Sequence, residues 1–121
     1  MDVTLDALAR AKYLSLTTLR RDGTVVATPV WLVRQGETLL VTTQASSGKV
    51  RRIRNNPQVL LAPCDARGRL KGEQVSGTAT LQDPQQTERT TELIRKRYGL
   101  LGWLLTRRGK DDRMGITITL A

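Results

Sequence analysis

The residues best suited to chemistry lie in the segment Thr42–Pro57, TTQASSGKVRRIRNNP. An apolar strand, Leu39–Val41, is expected to lead into two threonines and a small polar loop. A short helix follows, is ended by Asn-Asn-Pro, and carries four cations within six positions: Lys49, Arg51, Arg52 and Arg54. Free backbone N–H groups and a hydroxyl at a helix N-terminus, with a lysine one turn in, suit a phosphate. The segment therefore predicts an anionic ligand or cofactor beside a sheet.

The residue types that the chain lacks limit its chemistry further. It has no histidine, so a His-based general base or a catalytic triad is excluded. With a single cysteine, Cys64, neither a conventional zinc site nor an intramolecular disulfide is expected, and this agrees with a cytoplasmic setting. The missing residue types restrict the possible kinds of catalytic site more than any motif that is present.

The net charge is the second constraint on function. Twenty Lys and Arg residues against eleven Asp and Glu residues give a net charge of +9 and a pI near 10.8. Such a surface attracts nucleic acid, an anionic membrane or a polyanionic small molecule, and it is equally compatible with generic solvated charge. Aromatic residues for base stacking are scarce, and no helix-turn-helix, RNP or zinc-finger pattern is present, so nucleic acid is a weak candidate. No window approaches a membrane span, and no membrane partner is expected.

Length and composition predict one domain, residues 1–121, with a sheet-based core. The apolar residues are mainly Val, Leu and Ile, which favour strands, and a dimer would supply burial that a small barrel lacks.

A hairpin is predicted where Asp22-Gly23 separates two β-rich runs. The second run, Thr24–Val33, carries no charge, so both its faces are expected to be buried, as in a central strand or one under a ligand or partner subunit. Pro29 within this run predicts a bulge or an interrupted pairing.

The remaining segments show strand and helix patterns. The basic helix is predicted over Ser47–Asn55, with Val50 and Ile53 facing the core. A further helix begins after an Asp83 cap and is expected to end or bend near Tyr98, at Gly99 and Gly102, with a second helical segment through Trp103-Leu104-Leu105. Strands are predicted at Thr38–Thr43, Gln58–Cys64, Gln74–Gln82 and Met114–Leu120, with a charged loop, RRGKDDR, before the last of them. In total we expect an α+β, mainly β fold with six to seven mostly antiparallel strands and three to four helices.

Four phrases of the sequence, taken in order, resemble a known superfamily: KYLSLTTLRRDGTVVATPVWLV, SSGKVRRIRNNPQVLLAPCDARGR, VSGTATL and RKRYG. The superfamily is that of the split β-barrel, FMN-binding-like flavoproteins related to pyridoxamine 5′-phosphate oxidase. Together the phrases resemble the branch of it that uses the deazaflavin coenzyme F420. The resemblance runs from about Leu5 to Leu120 and depends on the ordered set rather than on one motif.

The resemblance implies a homodimer with two cofactor sites in the clefts between the subunits. It places the ring system against Pro29-Val30-Trp31. It places the phosphate near the following residues: Thr42, Thr43, Ser47, Gly48 and Lys49. Arg54 and the Pro63-Cys64 strand are implied as further contributors, from the partner subunit. The oxidase itself carries a C-terminal substrate motif with Arg and His, and because this chain has no histidine, oxidation of pyridoxamine phosphate is not expected.

The function implied by the resemblance is that of an F420H2-dependent reductase acting on an unsaturated or conjugated small molecule. A deazaflavin is restricted to two-electron transfer, and a protein can support such transfer by orienting the cofactor, so no catalytic side chain is assigned. FMN in the same cleft is the alternative within this class. An alternative of another class is a non-catalytic basic dimer that binds a cofactor or nucleic acid.

The candidate cations and the serine also have ordinary structural interpretations. Lys49 could be a solvated lysine, and Ser47 could be a plain helix cap. Arg51 and Arg52 could be solvated, or they could meet the oligoglutamate tail that distinguishes F420 from FMN.

The aromatic residues and the cysteine admit similar interpretations. Trp31, in an uncharged strand, could belong to the core or serve as a stacking platform. Tyr98 and Trp103 are expected in the core or in a dimer interface. Cys64 is expected to be a small buried residue with an ordinary thiol.

Overall fold

Three helices and seven strands make up the described part of the protein. The computed structural model describes residues 3–107 and 112–121, without the side chains of residues 3, 102, 103 and 105–107. In chain order the elements are α1 (Val3–Arg10), β1 (Tyr13–Leu19), β2 (Val25–Val30), β3 (Leu32–Gln35), β4 (Thr38–Gln44), α2 (Gly48–Asn55), β5 (Gln58–Cys64), β6 (Val75–Leu81), α3 (Pro84–Arg107) and β7 (Arg113–Leu120). The α+β, mainly β fold predicted from the sequence is confirmed.

The strands form one antiparallel sheet whose two edges come together. The strand order is β2-β1-β5-β6-β7-β4-β3, so β2 and β3 lie at opposite edges. These two strands are nevertheless consecutive in the chain and are separated only by Trp31. Because consecutive Cα atoms are about 3.8 Å apart, so short a connection requires the sheet to curl into a half-barrel. Trp31 therefore lies at the seam of this half-barrel.

The prediction of one continuous strand over Thr24–Val33, buried on both faces, is wrong. The chain divides at Trp31 into β2 and β3, and β2 is an edge strand with exposed side chains, Val25 among them. Pro29 pairs in register with Ser15 and forms no bulge. An edge strand tolerates proline, because the backbone N–H that proline lacks is not needed for a hydrogen bond to a second neighbouring strand. Of the two explanations for the lack of charge in Thr24–Val33, a central strand is excluded. The other, a strand covered by a ligand or a partner subunit, stays a prediction.

The core consists of alternating apolar residues of the sheet together with one face of α1. Successive side chains of a strand point to opposite faces of the sheet, so residues two apart share the core face. Fully buried members of the core are Leu5, Leu8, Leu14, Leu16, Leu32, Leu39, Val41, Leu61, Ile116 and Ile118.

The predicted turn at Asp22-Gly23 and the predicted helix cap at Asp83 are confirmed. Between β1 and β2, Gly23 adopts φ +89°, and the Asp22 carboxylate accepts the Thr24 N–H at 3.0 Å. At the start of α3, the Asp83 carboxylate accepts the Gln86 N–H at 2.8 Å. Both signals are local in sequence, since each side chain bonds backbone within three residues.

Helix α2 also lies where the sequence predicts it, with Val50 and Ile53 buried. Ser47 occupies the N-cap position with extended backbone, but its hydroxyl makes no capping hydrogen bond. The interpretation of Ser47 as a side-chain cap is therefore wrong. Its Oγ is buried and has no hydrogen-bond partner within the described ranges.

Helix α3 bends at Gly99, one of the two glycines at which the sequence predicts an end or a bend. Gly99 adopts φ +65° and ψ −143° inside the helix, a backbone region that glycine enters readily and other residues do not. The helix continues to Arg107, so the predicted loop RRGKDDR begins later than expected, and Arg113 at its other end is the first residue of β7. Residues 108–111 of that loop and the side chain of Trp103 lie outside the described residues.

Candidate ligand-binding site

A cavity of about 560 Å³ includes the seam of the half-barrel and the start of α2 in its wall. This volume lies within the range of ligand pockets, about 300–1,000 Å³. The wall combines apolar and aromatic side chains with hydroxyls, an amide and two cations. The lining residues are Tyr13, Pro29, Val30, Trp31, Thr42, Thr43, Gln44, Lys49, Ala66, Leu101 and Arg113.

Most of the residues that the sequence proposes for cofactor binding line this cavity. They are Pro29, Val30, Trp31, Thr42, Thr43 and Lys49. Ser47, Gly48 and Arg54 are not part of its wall. Arg54 is exposed on α2, and Gly48 lies against Arg52, whose Nη1 atom would be 2.6 Å from a Cβ at this glycine. The fold thus brings together, at one cavity, all three residues that the resemblance assigns to the ring and three of the five that it assigns to the phosphate.

Trp31 forms an aromatic part of the wall and stacks on Tyr98. The two ring centroids are 4.5 Å apart, and the ring planes are 10° from parallel. Such a pair contributes about 0.5–1.5 kcal/mol beyond the burial of area. Trp31 is half-buried and lines the cavity, so it does not belong to the fully buried core. Tyr98 is half-buried as well, and its ring packs against that of Trp31.

Tyr98 and Arg97 of α3 tie this helix to the seam. The Tyr98 hydroxyl donates to the Lys12 carbonyl at 2.7 Å and accepts the Leu32 N–H at 3.2 Å. Arg97 donates to the Leu32 carbonyl at 2.6 Å. Burial raises the pKa of Tyr98, so the hydroxyl keeps its proton at neutral pH. These bonds hold the backbone of Leu32, the residue after Trp31, and thereby restrict the orientation of the indole.

Two cations, Lys49 and Arg113, line the cavity without a carboxylate partner. Neither forms an ion pair with any residue in 3–107 or 112–121. Burial lowers the pKa of Lys49, and the nearby charge of Arg52 lowers it further. Burial is also the main cause of the lowered pKa of Arg113. Half-buried cations that lack a counter-ion favour an anionic ligand.

The connection between β4 and α2 is tied to the residue that precedes β7. The Asp112 carboxylate accepts the Ser46 hydroxyl at 2.6 Å, and the Asp112 carbonyl accepts the Ala45 N–H at 3.0 Å. This tie fixes the first turn of α2, which carries Lys49, relative to the first residue of β7, Arg113.

A second groove, of about 450 Å³, lies between α2 and the β1 end of the first hairpin. Its lining residues are Leu19, Arg20, Arg21, Arg51, Arg52 and Asn55. Arg52 donates from Nε to the Thr18 hydroxyl at 2.6 Å, which holds its guanidinium in the groove. Burial and the charges of its arginine neighbours lower the pKa of Arg52. Arg51 and Arg52 therefore belong to a basic groove separate from the cavity that Lys49 lines.

Sequence reasoning misses part of the cavity wall. The missed residues are Tyr13, Gln44, Ala66, Leu101 and Arg113. Arg113 lies in the segment predicted as a loop, and its position depends on its pairing with Gln44 in the β4–β7 ladder. The apolar alternation of the last strand could have been extended back by one residue to include it.

The Pro63-Cys64 strand borders a neighbouring cavity of about 270 Å³ rather than the first one. The two cavities share Tyr13 and Ala66. Cys64 is buried, as predicted, and burial raises the pKa of its thiol, with Asp65 acting in the same direction. The thiolate is therefore a minor form at neutral pH.

Among the described residues, no helix has both the length and the apolar character needed to cross a membrane. The His, Cys, Asp and Glu side chains of the same residues form no group of three or more that could hold a metal ion.

Comparison with known proteins identifies the family. A family model described as pyridoxamine 5′-phosphate oxidase matches residues 2–121, which is nearly the whole chain. The chain belongs to the pyridoxamine 5′-phosphate oxidase family. The superfamily resemblance seen in the sequence is thereby confirmed. No protein of curated function matches the chain.

Solved structures similar to this member of the pyridoxamine 5′-phosphate oxidase family have diverse names. An F420 reductase superposes with a TM-score of 0.63 at 23% identity, covering 100% of this chain and 95% of that one. A FAD-binding protein from Mesorhizobium loti has a TM-score of 0.66 at 14% identity, with coverage of 95% and 83%. A heme storage protein from Vibrio cholerae has a TM-score of 0.72 at 17% identity, with coverage of 96% and 86%. Identities this low show a shared fold, so function has to be argued from the site.

Proposed function

We propose that this protein is an F420H2-dependent reductase of an unsaturated or conjugated small molecule. The observation that carries the proposal is the composition of the cavity, where the stacked Trp31, threonine hydroxyls and unpaired cations line one space. A ligand that combines a flat ring with a phosphate matches this composition. FMN has the same two parts and is the alternative cofactor.

The chain's own residues supply binding and orientation. Pro29, Val30 and Trp31 would hold the ring, and Thr42, Thr43 and Lys49 would hold the phosphate. When bound, a deazaflavin supplies two-electron hydride chemistry, which needs no protein nucleophile. The protein's contribution is to place the ring and the acceptor together and to exclude water. Ser47, Gly48 and Arg54, which lie outside the cavity wall, stay predictions.

A second copy of the chain is the partner that we propose for the mouth of the cavity. Leu101 lines the cavity and yet is 52% exposed, and Leu100 beside it is 74% exposed. Val25 on the edge strand β2 is also exposed. Apolar surface around a binding cavity favours burial against another subunit, and a two-fold homodimer would complete two such cavities at once.

The basic groove favours F420 over FMN, because only F420 carries an oligoglutamate tail. We expect the double variant Arg51→Ala, Arg52→Ala to weaken binding of long-tailed F420 by roughly 3- to 10-fold, since exposed charge pairs contribute little each. Binding of FMN should not change. A titration of each protein with long-tailed F420, tail-shortened F420 and FMN makes the comparison.

The control for this experiment is the double variant Arg89→Ala, Lys96→Ala, which removes two exposed charges from α3. It should bind long-tailed F420 like the wild-type protein. Equal losses for long-tailed and tail-shortened cofactor in the Arg51, Arg52 variant would show that the groove does not bind the tail.

Turnover tests the proposed function itself. The wild-type protein should accelerate the oxidation of F420H2 by at least one class in a panel of conjugated acceptors, and the rate should follow protein concentration. If reduced FMN is oxidised by those acceptors and F420H2 is not, the protein belongs to the FMN branch. If neither donor is oxidised and DNA binds with a steep salt dependence, the non-catalytic alternative is correct.

A further inference from the structure

The neighbouring cavity of about 270 Å³ has no role in the proposed function so far. We call it the side pocket, and we call the cavity lined by Trp31 and Lys49 the first cavity. The side pocket lies where β1 begins at Tyr13 and where β5 ends at Cys64. Tyr13 and Ala66 line both spaces, so a molecule in the side pocket lies next to whatever the first cavity holds.

The side pocket adjoins the part of the first cavity in which we expect the cofactor ring. Leu14 of β1 pairs with Val30 of β2, so Tyr13 and Trp31 are the next residues along these two strands. Trp31 belongs to the group proposed for the ring, whereas the residues proposed for the phosphate lie on β4 and α2. A hydride acceptor has to lie in contact with the ring, and the side pocket is adjacent to it.

Two cations line the side pocket without a carboxylate partner. Lys12 and Lys71 form no ion pair within the described part of the chain. Asp65, a carboxylate of the same wall, already accepts a hydrogen bond from Arg69 Nε at 2.7 Å and from two backbone N–H groups of its own loop at 2.9 and 3.0 Å. The wall therefore carries positive charge that no described side chain neutralises.

The backbone of each lysine is held in place. The Lys12 carbonyl accepts the Tyr98 hydroxyl at 2.7 Å, and the Lys71 N–H donates to the Pro63 carbonyl at 2.8 Å. Lys12 precedes β1, and Lys71 lies in the loop between β5 and β6. Two separate segments of the chain thus bring ammonium groups to one small pocket, although both side chains are exposed.

We propose that the side pocket is the acceptor subsite and that it takes a small conjugated carboxylate. The inference deepens the proposed function and rests on it for the identity of the reaction. Lys12 and Lys71 bind the carboxylate, and Tyr13, Pro63 and Ala66 contact the conjugated part. The volume is just below the range of about 300–1,000 Å³ typical of pockets for drug-sized ligands, so the acceptor is a small one.

A carboxylate meets two requirements of such an acceptor with one group. A C=C bond accepts a hydride at its β-carbon when an electron-withdrawing group is attached to it, and a conjugated carboxylate is such a group. It is also the anion that the two ammonium groups attract. Reduction of such an acid takes up a hydride from F420H2 at the β-carbon and a proton from solvent at the α-carbon. The products are the saturated acid and F420, and the other proton of F420H2 passes to solvent.

Pairs of an acid and its amide test the inference, because the amide keeps the conjugated part and lacks the charge. The probes are trans-cinnamate, sorbate and crotonate, each titrated beside its amide into the protein saturated with oxidised F420. At least one acid should bind roughly 3- to 10-fold more tightly than its amide, since exposed charge pairs contribute little each. The double variant Lys12→Gln, Lys71→Gln should bind acid and amide equally and should keep the wild-type affinity for F420.

The control is the double variant Arg89→Gln, Lys96→Gln, which makes the same change in net charge at exposed positions of α3. It should keep the preference for the acid. A preference that disappears in both double variants would mean that the overall charge attracts the acid, and it would overturn the inference. The absence of any preference in the wild-type protein would overturn it as well.

The absorption spectrum of bound F420 reports whether the acid lies against the ring. Binding of the preferred acid should shift this spectrum, and in turnover the Lys12, Lys71 variant should show a raised KM for the acid with little change in kcat. Binding of the acid without a spectral shift would overturn the assignment as an acceptor subsite. If neither F420 nor FMN binds, the same titrations of the protein alone separate the two claims. A lysine-dependent preference then leaves a carboxylate site without the proposed function, and no preference removes both.

Discussion

Replacement of Gly115 by alanine is expected to lower the free energy of unfolding by roughly 2–4 kcal/mol. A Cβ at this buried position in β7 would lie 1.8 Å from the Gln82 side-chain oxygen and 3.2 Å from the Thr87 Cα. Gln82 cannot move aside freely, because it donates to the Thr117 hydroxyl at 2.9 Å and accepts from the Thr90 hydroxyl at 2.8 Å. Urea denaturation measures the change, and a scan of Tm should show a decrease of roughly 10 °C.

A double-mutant cycle tests this explanation. Gln82→Ala removes the obstructing amide and loses its hydrogen bonds, so this single variant is itself destabilised. The double variant Gly115→Ala, Gln82→Ala should lose less than the sum of the two single losses, by more than about 1 kcal/mol. Additive losses would show that the new methyl group is opposed by something other than Gln82.

The charge-reversing variant Lys49→Glu is expected to weaken cofactor binding by about two orders of magnitude, or roughly 3 kcal/mol. It removes a charge-assisted hydrogen bond and places a carboxylate against the phosphate. The fold should remain, because Glu in the first turn of α2 interacts favourably with the helix dipole. Quenching of cofactor fluorescence measures the affinity, and the far-UV circular dichroism spectrum reports the fold.

Lys96→Glu is the matched control for this variant. It makes the same change in net charge at an exposed position of α3, away from the cavity. Binding by this control should be close to that of the wild-type protein. Equal losses in the two variants would mean that the overall charge of +9 attracts the cofactor and that Lys49 makes no specific contact.

The elements that the sequence predicts well are those with local signals. The hairpin at Asp22-Gly23, the Asp83 cap of α3 and the buried pair of α2 each depend on residues within a few positions of one another. The curl of the sheet has no such signal. It follows from strand order, and the order places β2 and β3 at opposite edges although they are neighbours in the chain. For this reason the uncharged run Thr24–Val33 predicts one buried strand where the fold has two edge strands.

The residues of the candidate site are likewise of two kinds: those that lie close together in the sequence and those that only the fold brings together. Thr42, Thr43 and Lys49 follow one another along the chain, and the sequence shows them as a group. Arg113 joins them only through the pairing of β7 with β4, about 70 residues later in the chain, and Tyr98 meets Trp31 only because α3 crosses the seam. Periodicity within one segment cannot reveal contacts of this kind, since they are decided by tertiary packing.

A fluorescence-quenching titration of the purified protein with F420 and, in parallel, with FMN tests most directly whether the cavity binds a deazaflavin cofactor. The proposed function predicts micromolar or tighter binding of F420 and weaker binding of FMN. Tighter binding of FMN would move the protein to the flavin branch of its family. Binding of neither cofactor would contradict the assignment of the cavity as a cofactor site.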